Sequence, residues 1–562
     1  VNQRHFPSWP KRRPFEFPIP ATNLAQNVAM SAQRYPDVPA IVYYDTKISY
    51  KRLWREIEAL AGYLEHDAGV KCGDRVLLVM QNSPQFAIAF NAILRANAVV
   101  VPLNPMLVTD ELRVYIEDSG ARVAIIGQEL AERFEPLAPD PLRTVVVAAY
   151  NDYIESETRL TLPQAVSEPR AALSSPALTA WHAVLAADRT PGPIITGNDD
   201  IAVLPYTSGT TGRPKGCVHT HRSVQATLSS VSSWLATTLP GVPILSVLPY
   251  FHVTGMTSGL NAILFSGSTV VMMTRWDAAT TLALIERYQC ESITAISTMV
   301  VDLLAHPDFR PERLSSLRGI NGGGAPLPAA VGEQLIGRMG LTYIEGYGLT
   351  ETIAMTHCNP DQNPKLQCLG IPTFNVDSRV IDPDSGKELG PNETGEIITC
   401  APQVMREYWH QPDATAEVFI ELEGKRFFRT GDLGYFDDDG YFFMVDRLKR
   451  MINAAGYKVW PAEVETKLFS HPAIQEACVI ASQDPRKGEI VKALVVLRPG
   501  ESVSAQEIIA WARERMANYK VPSEIEFVTS LPRAATGKVA WRALQEAEQR
   551  RIASGGREAV AP

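Results

Sequence analysis

No stretch of this 562-residue chain is apolar for long enough to be expected to cross a membrane. A spanning helix needs about 20 nearly uninterrupted apolar residues. The longest apolar region, FAIAFNAILRANAVVVPL from Phe86, is broken by Asn91, Arg95 and Asn97, and reads as a buried helix followed by a strand. An excess of basic charge is also missing. The net charge is −9 and the isoelectric point about 5.7, so no broad positive field for nucleic acid is implied. The seven cysteines are odd in number and scattered, with no C-x-x-C spacing. That excludes a sequence-legible zinc site or disulfide framework and suits a reducing compartment. The first twenty residues, VNQRHFPSWPKRRPFEFPIP, are basic and proline-rich but lack the apolar stretch of a secretory signal. They are expected to form an arm along the surface rather than a membrane-surface element, and the expected location is the cytoplasm. Internal repeats and low-complexity blocks are absent.

Present instead is an ordinary globular composition, 45% hydrophobic and 20% charged. Single cores stop growing at roughly 250–300 residues, so two or more domains are expected. Short β-branched runs alternate with helix-length amphipathic segments. Strands are expected at Arg75–Met80, Val99–Leu103, Ala121–Ile126, Ile201–Pro205, Ile244–Leu248, Ser268–Met273 and Ser292–Ile296. Helices are expected at Gln85–Ala96, Asp110–Asp118 and Ala278–Tyr288. The alternation predicts layered α/β structure with largely parallel sheets. From about Val376 the strands are separated by turn chemistry such as DPDSGKELGPNETG and DDDG, which predicts a β-rich subdomain over 376–446. After Lys449 a third texture predicts a small α+β domain over 451–552, with a helix at Ala505–Ala517 and a disordered tail at 553–562. The fold class is thus α/β: a large N-terminal domain (1–446) of layered sheets plus a β-rich subdomain, joined through 447–450 to a small C-terminal α+β domain.

The chemistry starts at Tyr206-Thr-Ser-Gly-Thr-Thr-Gly-Arg-Pro-Lys-Gly216, directly after the strand Ile201–Pro205. Gly209, Gly212 and Gly216 let the backbone approach a ligand closely. The hydroxyls of Thr207, Ser208, Thr210 and Thr211, the loop amides and the Lys215 cation offer the donor density that a polyphosphate requires. The string is not a Walker A loop, because G-x-x-x-x-G-K-[ST] does not fit it.

This loop resembles the signature of the adenylate-forming superfamily, which comprises acyl- and aryl-CoA ligases, peptide-synthetase adenylation domains and beetle luciferases. Further motifs occur in that family's order. They are Leu248-Pro-Tyr-Phe-His-Val-Thr-Gly255, Gly322-Gly-Gly-Ala-Pro-Leu327, Tyr347-Gly-Leu-Thr-Glu351, Thr430-Gly-Asp432, Asp446-Arg-Leu-Lys449, Ala454-Ala-Gly-Tyr-Lys-Val-Trp-Pro-Ala-Glu463 and Pro532-Arg-Ala-Ala-Thr-Gly-Lys538. The resemblance covers about Ala21 to Glu548. It implies a two-step ligase: a carboxylate attacks the α-phosphorus of ATP and expels pyrophosphate, then the thiol of coenzyme A displaces AMP. Two anions must meet in the first step, so positive charge is required. By the resemblance, Lys538 bridges the carboxylate and the α-phosphate, and Thr350 contacts that phosphate. Glu351, with the Thr207 hydroxyl, holds Mg2+, a hard ion suited to carboxylate and phosphate oxygen. Gly323, Gly324, Ala325, Pro326, Glu345, Gly346, Tyr347 and Gly348 border the nucleotide. Asp432 and Arg447 take the ribose hydroxyls.

The resemblance also places His252 beside the acid carboxylate, with Met256, Gly323 and Gly348 in the acyl pocket. Relatives that activate amino acids carry Asp where His252 stands, so an amino acid is disfavoured. For thiolysis, Lys449 is the expected hinge, and Ala455, Gly456 and Tyr457 line the coenzyme A tunnel. Asn453 departs from relatives with Lys there. Short-chain members close the pocket with Trp where this chain has Gly348, which points to a medium- or long-chain fatty acid. An aryl or arylpropenoic acid is the alternative, and a stand-alone enzyme loading a carrier protein is another. A luciferase-like oxygenase and an inactive nucleotide binder are the remaining rivals. The second is disfavoured because Lys538, Glu351 and Asp432 are all present. Homodimer formation and peripheral membrane contact are compatible with the sequence.

Overall fold

The alternating apolar runs form two large sheets. The computed structural model describes residues 3–11, 13–173, 175–207, 214–235, 239–324, 327–447, 450–454, 457–484, 488–533 and 539–553, with backbone alone at 457, 458, 488 and 553. The chain divides into two compact units, Val1–Ser378 with Thr399–Phe428, and Arg379–Ile398 with Arg429–Pro562. This division is one of compactness. The expected hinge is a different quantity, and its Leu448 and Lys449 lie outside the described residues, as does the tail beyond Ala553.

In the first unit, a nine-stranded sheet has the order Ile371–Pro372, Ala354–Cys358, Tyr343–Leu349, Gly319–Gly323, Ser292–Thr294, Pro243–Ser246, Thr269–Met272, Pro39–Tyr43, Thr46–Ser49. Its six strands from Tyr343–Leu349 to Pro39–Tyr43 are parallel, and its edges are antiparallel. A seven-stranded sheet has the order His219–Thr220, Ile201–Val203, Val99–Pro102, Arg75–Val79, Val123–Gly127, Thr144–Ala148, Leu178–Ala180. All but its His219–Thr220 edge is parallel. Parallel strands are buried on both faces, which explains their unbroken β-branched runs. Leu245, Val271, Ile293 and Ile320 belong to one core cluster, and Leu77, Val101, Ile126 and Val147 to another.

The apolar region from Phe86 is a buried helix, Pro84–Arg95, in which every residue is buried. Ser83 starts it by accepting the Phe86 amide at 3.2 Å, with Pro84 preorganised behind the cap. Among the described residues no helix is long and apolar enough to cross a membrane. The N-terminal arm is packed rather than loose. Trp9 is buried and meets Trp234 and Phe374 edge-on, with ring centroids 5.1 and 5.5 Å away.

In the second unit, Ile474–Asp484, Gly488–Leu497, Ile452–Ala454 and Tyr457–Val459 form an antiparallel sheet, joined by Glu524–Phe527 parallel to Gly488–Leu497. The helices Pro461–Phe469, Ala505–Arg513 and Trp541–Ala553 accompany it, the α+β arrangement expected. A reciprocal Ser504–Glu507 capping box opens the second of these. That helix stops at Arg513, short of the expected Ala517, because the amides of Arg515 and Met516 both turn back to the Ala512 carbonyl.

Candidate active site

The signature loop is carried by a two-stranded ribbon. Tyr206 pairs with Gly216 and Thr207 with Lys215. The Tyr206 hydroxyl anchors the ribbon by donating to Asp118 Oδ2 at 2.5 Å. Ser208, Gly209, Thr210, Thr211 and Gly212 lie outside the described residues, as do Ala325, Pro326, Lys449, Ala455, Gly456 and Lys538. Only the backbone of Tyr457 is described, pairing with Ala454. The bases of two of these loops are well defined. Lys215 closes the first, and an Arg533–Val539 bridge closes the one containing Lys538.

Thr350 and Glu351 sit in a single 3-10 turn after the strand Tyr343–Leu349. The Leu349 amide donates to Thr352 Oγ1 at 2.9 Å, which shapes the turn. Ile353 and Ala354 leave it at φ 44° and 79°. Left-handed backbone is unfavourable for a β-branched residue, so the surroundings must impose this bend. Two neighbours do so. His219 Nε2 lies 2.8 Å from the Thr350 carbonyl, and the Met405 amide donates to the Glu351 carbonyl at 2.7 Å. Burial lowers the His219 pKa to about 4, so its ring is neutral. A carbonyl accepts only, so Nε2 carries the proton and Nδ1 faces the Ser223 hydroxyl at 3.4 Å.

Segment 405–409 joins the two motifs. Trp409 donates to the Gly216 carbonyl at 2.7 Å, and Val218 donates to the Glu407 carbonyl at 3.0 Å. The Tyr408 hydroxyl donates to Glu351 Oε1 at 2.9 Å, and Lys215 Nζ lies 4.9 Å from the centre of the Tyr408 ring. The first unit thus brings Thr207, Lys215, Thr350 and Glu351 into one neighbourhood.

The glycine motifs call for a correction. A Cβ on Gly348 would lie 1.6 Å from the Ala354 carbonyl oxygen, and one on Gly323 would lie 2.2 Å from that of Gly346. Neighbouring backbone fills both positions. The missing side chain at Gly348 therefore makes no room for a longer acid, and Gly323 gives the acyl pocket none by that route. Gly324 has φ 87°, a conformation that glycine adopts without penalty. The Glu345 carboxylate is engaged by neighbouring backbone. It is buried and accepts the amides of Leu327 and Cys368 at 2.8 and 2.9 Å. It pins the segment after Gly324, and burial raises its pKa to about 7.

The strand expected at Ile244–Leu248 ends early. It stops at Ser246, and a turn over Leu248–His252 leads through helical Val253 and Thr254 into a π-helical stretch, Gly255–Asn261. Asn82 explains the break. Its Nδ2 donates to the carbonyl of Leu248 at 2.9 Å, and its Oδ1 accepts the Tyr250 amide at 2.8 Å. Gly255 is required, since a Cβ there would lie 2.1 Å from the Pro249 carbonyl oxygen. His252 is half-buried on this turn, and Met256 is fully buried in the π-helical stretch, a form frequent at functional sites.

In the second unit, Asp432 and Arg447 face each other across paired strands, with Arg447 Nε 3.1 Å from Asp432 Oδ1. Asp432 is buried, and Arg447 remains partly exposed. Glu396 builds the turn before Asp432 by accepting the Gly431 amide and pairing with Arg429. Asp446 accepts the Ala462 amide at 2.7 Å, which caps the helix Pro461–Phe469. The Asn453 amide donates to Glu489.

Among the described residues no three His, Cys, Asp or Glu side chains gather as a metal cage. A magnesium ion held mostly by phosphate and water needs only one or two carboxylates, so the donor set around Glu351 fits that ion. Sequence reasoning missed Asn82, His219 and Tyr408, none of which carries a local signal.

The chain matches the model of the AMP-binding enzyme over residues 28–409 and that of the AMP-binding enzyme C-terminal domain over 463–538. It is 33% identical over 551 residues to a long-chain-fatty-acid–CoA ligase of Bacillus subtilis, covering 96% of this chain and 97% of the relative. It is 35% identical over 511 residues to a feruloyl-CoA synthase of Amycolatopsis, covering 90% and 95%. The crystal structure of ATP-bound MatB from Rhodopseudomonas palustris superposes with a TM-score of 0.83 at 27% identity, covering 94% of this chain and 99% of that one.

Proposed function

Since the chain belongs to the adenylate-forming, AMP-binding enzyme superfamily, and is an AMP-forming acid–thiol ligase, we propose that its acid is an aryl or arylpropenoic acid. This reading replaces the medium- or long-chain fatty acid that Gly348 first suggested.

One observation carries it. In the helix His221–Trp234, Ser223, Thr227, Ser230 and Trp234 recur at spacings of four, three and four, which places them on one face. Ser223 meets His219, which reaches the Thr350 carbonyl, and Trp234 Nε1 donates to the Asn359 carbonyl at 3.0 Å. Both ends of the face are therefore tied to the segment 350–359 that follows the Glu351 turn. Between those ends, the hydroxyls of Thr227 and Ser230, like that of the adjacent Ser229, are buried with no hydrogen-bond partner among the described residues. The π-helical stretch with Met256 packs on the same helix. A buried hydroxyl without a partner costs about 1–3 kcal/mol. An alkyl chain cannot remove that cost, whereas a ring hydroxyl or methoxy group removes it by hydrogen bonding. The similarity to feruloyl-CoA synthase supports the same class.

In this reading the ATP phosphates lie against the loop from Thr207 to Lys215, and Glu351 with Thr207 holds magnesium, which neutralises phosphate charge when bound. Thr350 donates to the α-phosphate, and Lys538 draws the carboxylate onto it. Asp432 and Arg447 take the ribose, and His252 borders the carboxylate. Turning about Lys449 exchanges Lys538 for the Ala455–Tyr457 loop, which guides the thiol of coenzyme A to the acyl-AMP.

The test is coenzyme A-dependent AMP release across ferulate, coumarate, cinnamate, benzoate, octanoate and palmitate. Hydroxylated cinnamates are expected to give the highest kcat/KM. Thr227→Val with Ser230→Ala is expected to reduce the preference for ferulate over cinnamate by about 10-fold, the value of one hydrogen bond to a buried partner. Palmitate as the best substrate, with the double variant unchanged, refutes the assignment.

A further inference from the structure

Tyr408 stands between the two charged side chains that the ligase reading assigns to nucleotide and metal. Its hydroxyl donates to Glu351 Oε1 at 2.9 Å, and its ring face lies 4.9 Å from Lys215 Nζ. Its backbone is held as firmly. Tyr408 bridges to Cys217, its amide donates to Thr415 Oγ1 at 3.0 Å, and the neighbouring Trp409 amide reaches the Gly216 carbonyl. Three residues earlier, Met405 holds the Glu351 carbonyl. One short segment therefore fixes the backbone of both motifs, and one side chain touches the working group of each.

We propose that Tyr408 is a positioning residue of the ligase: its hydroxyl sets the orientation of the Glu351 carboxylate toward the metal–nucleotide complex, and its ring seats the Lys215 ammonium at the base of the phosphate loop. The proposal rests on Glu351 being the metal-binding carboxylate. A carboxylate turns easily about its last torsion. A hydrogen bond to one oxygen removes that freedom before the metal arrives, and preorganisation of this kind raises affinity without a new contact to the ligand. The ring face offers the ammonium a cation–π contact that leaves its N–H donors available to phosphate.

The two functions of the side chain separate by substitution. Tyr408→Phe removes the hydroxyl and keeps the ring; Tyr408→Leu removes both. The measurement is binding rather than turnover: Mn2+ titrated by electron paramagnetic resonance against full-length enzyme saturated with α,β-methylene-ATP. Calorimetry of the same nucleotide in EDTA gives metal-free binding, and a thermal melt reports folding. Tyr408→Phe is expected to weaken Mn2+ binding on the order of 10-fold, as for loss of a hydrogen bond to a charged group, while metal-free binding stays within about 2-fold. Tyr408→Leu is expected to weaken both. Unchanged Mn2+ binding in Tyr408→Phe overturns the proposal, as does equal weakening with and without metal. Glu351→Gln distinguishes the levels. If it weakens Mn2+ binding and Tyr408→Phe does not, the positioning role alone fails. If Glu351→Gln has no effect, the metal assignment fails and takes this proposal with it.

Discussion

Placing a single methyl group on Gly348 separates a pocket-forming glycine from one demanded by the backbone. The added Cβ would lie 1.6 Å from the Ala354 carbonyl oxygen, 2.2 Å from its carbon and 2.9 Å from the Met355 nitrogen. Real Cβ atoms essentially never approach closer than 3.0 Å, so the paired strands Tyr343–Leu349 and Ala354–Cys358 must part by about 1.4 Å. Both clashing groups are backbone, and no rotamer relieves them. Overpacking costs about 1–3 kcal/mol, and a lost ladder hydrogen bond adds about 1 kcal/mol. A total near 3 kcal/mol lowers the melting temperature of a unit as large as Val1–Ser378 with Thr399–Phe428 by about 3–4 °C. Thr350 and Glu351 follow within three residues, and a misplacement of about 1 Å costs on the order of 100-fold in rate. Gly348→Ala is therefore expected to lower acid-dependent ATP–pyrophosphate exchange for every acid tested, with little change in their ranking. The paired assays are differential scanning calorimetry and exchange with acetate, octanoate, cinnamate and ferulate. A variant that melts like the parent and shifts toward shorter acids refutes the backbone argument and restores Gly348 to the pocket.

Two further outcomes are expected. The Glu345 pKa is raised by burial to about 7 from an ordinary 4.5, so the folded state binds its proton more tightly than the unfolded state. Its contribution to stability is complete below pH 4.5 and is lost as the pH rises to 7. Urea unfolding at pH 5, 6 and 7.5 is expected to show this decline, with Glu345→Gln reducing its slope; identical slopes contradict the assignment. Lys538→Ala is expected to abolish acid-dependent pyrophosphate exchange while retaining coenzyme A attack on supplied acyl-AMP, which expels AMP and gives the thioester that is measured. Equal loss of both half-reactions argues against separate roles for the two loops.

Much of the architecture was legible because it depends on local pattern. Runs such as Val99–Pro102 and Thr269–Met272 are buried on both faces and read as parallel strands, and Ala278–Tyr288 has the bounds expected of it. The order of the glycine-, hydroxyl- and charge-bearing motifs likewise belongs to the chain alone, and it is sufficient to identify the reaction class. What the motif residues do with their side chains depended on partners far away in sequence. Asn82 breaks the strand before His252 from 166 residues away, His219 reaches Thr350 across 131, and Tyr408 reaches Glu351 across 57. Residue type and spacing specify backbone periodicity, but a hydrogen bond depends on which atoms the packed sheets bring within about 3 Å. Glu345 and Gly348 make the same point from inside a motif. Tertiary packing turned one carboxylate onto two amides and set a carbonyl where a side chain would stand, and so decided what composition left open.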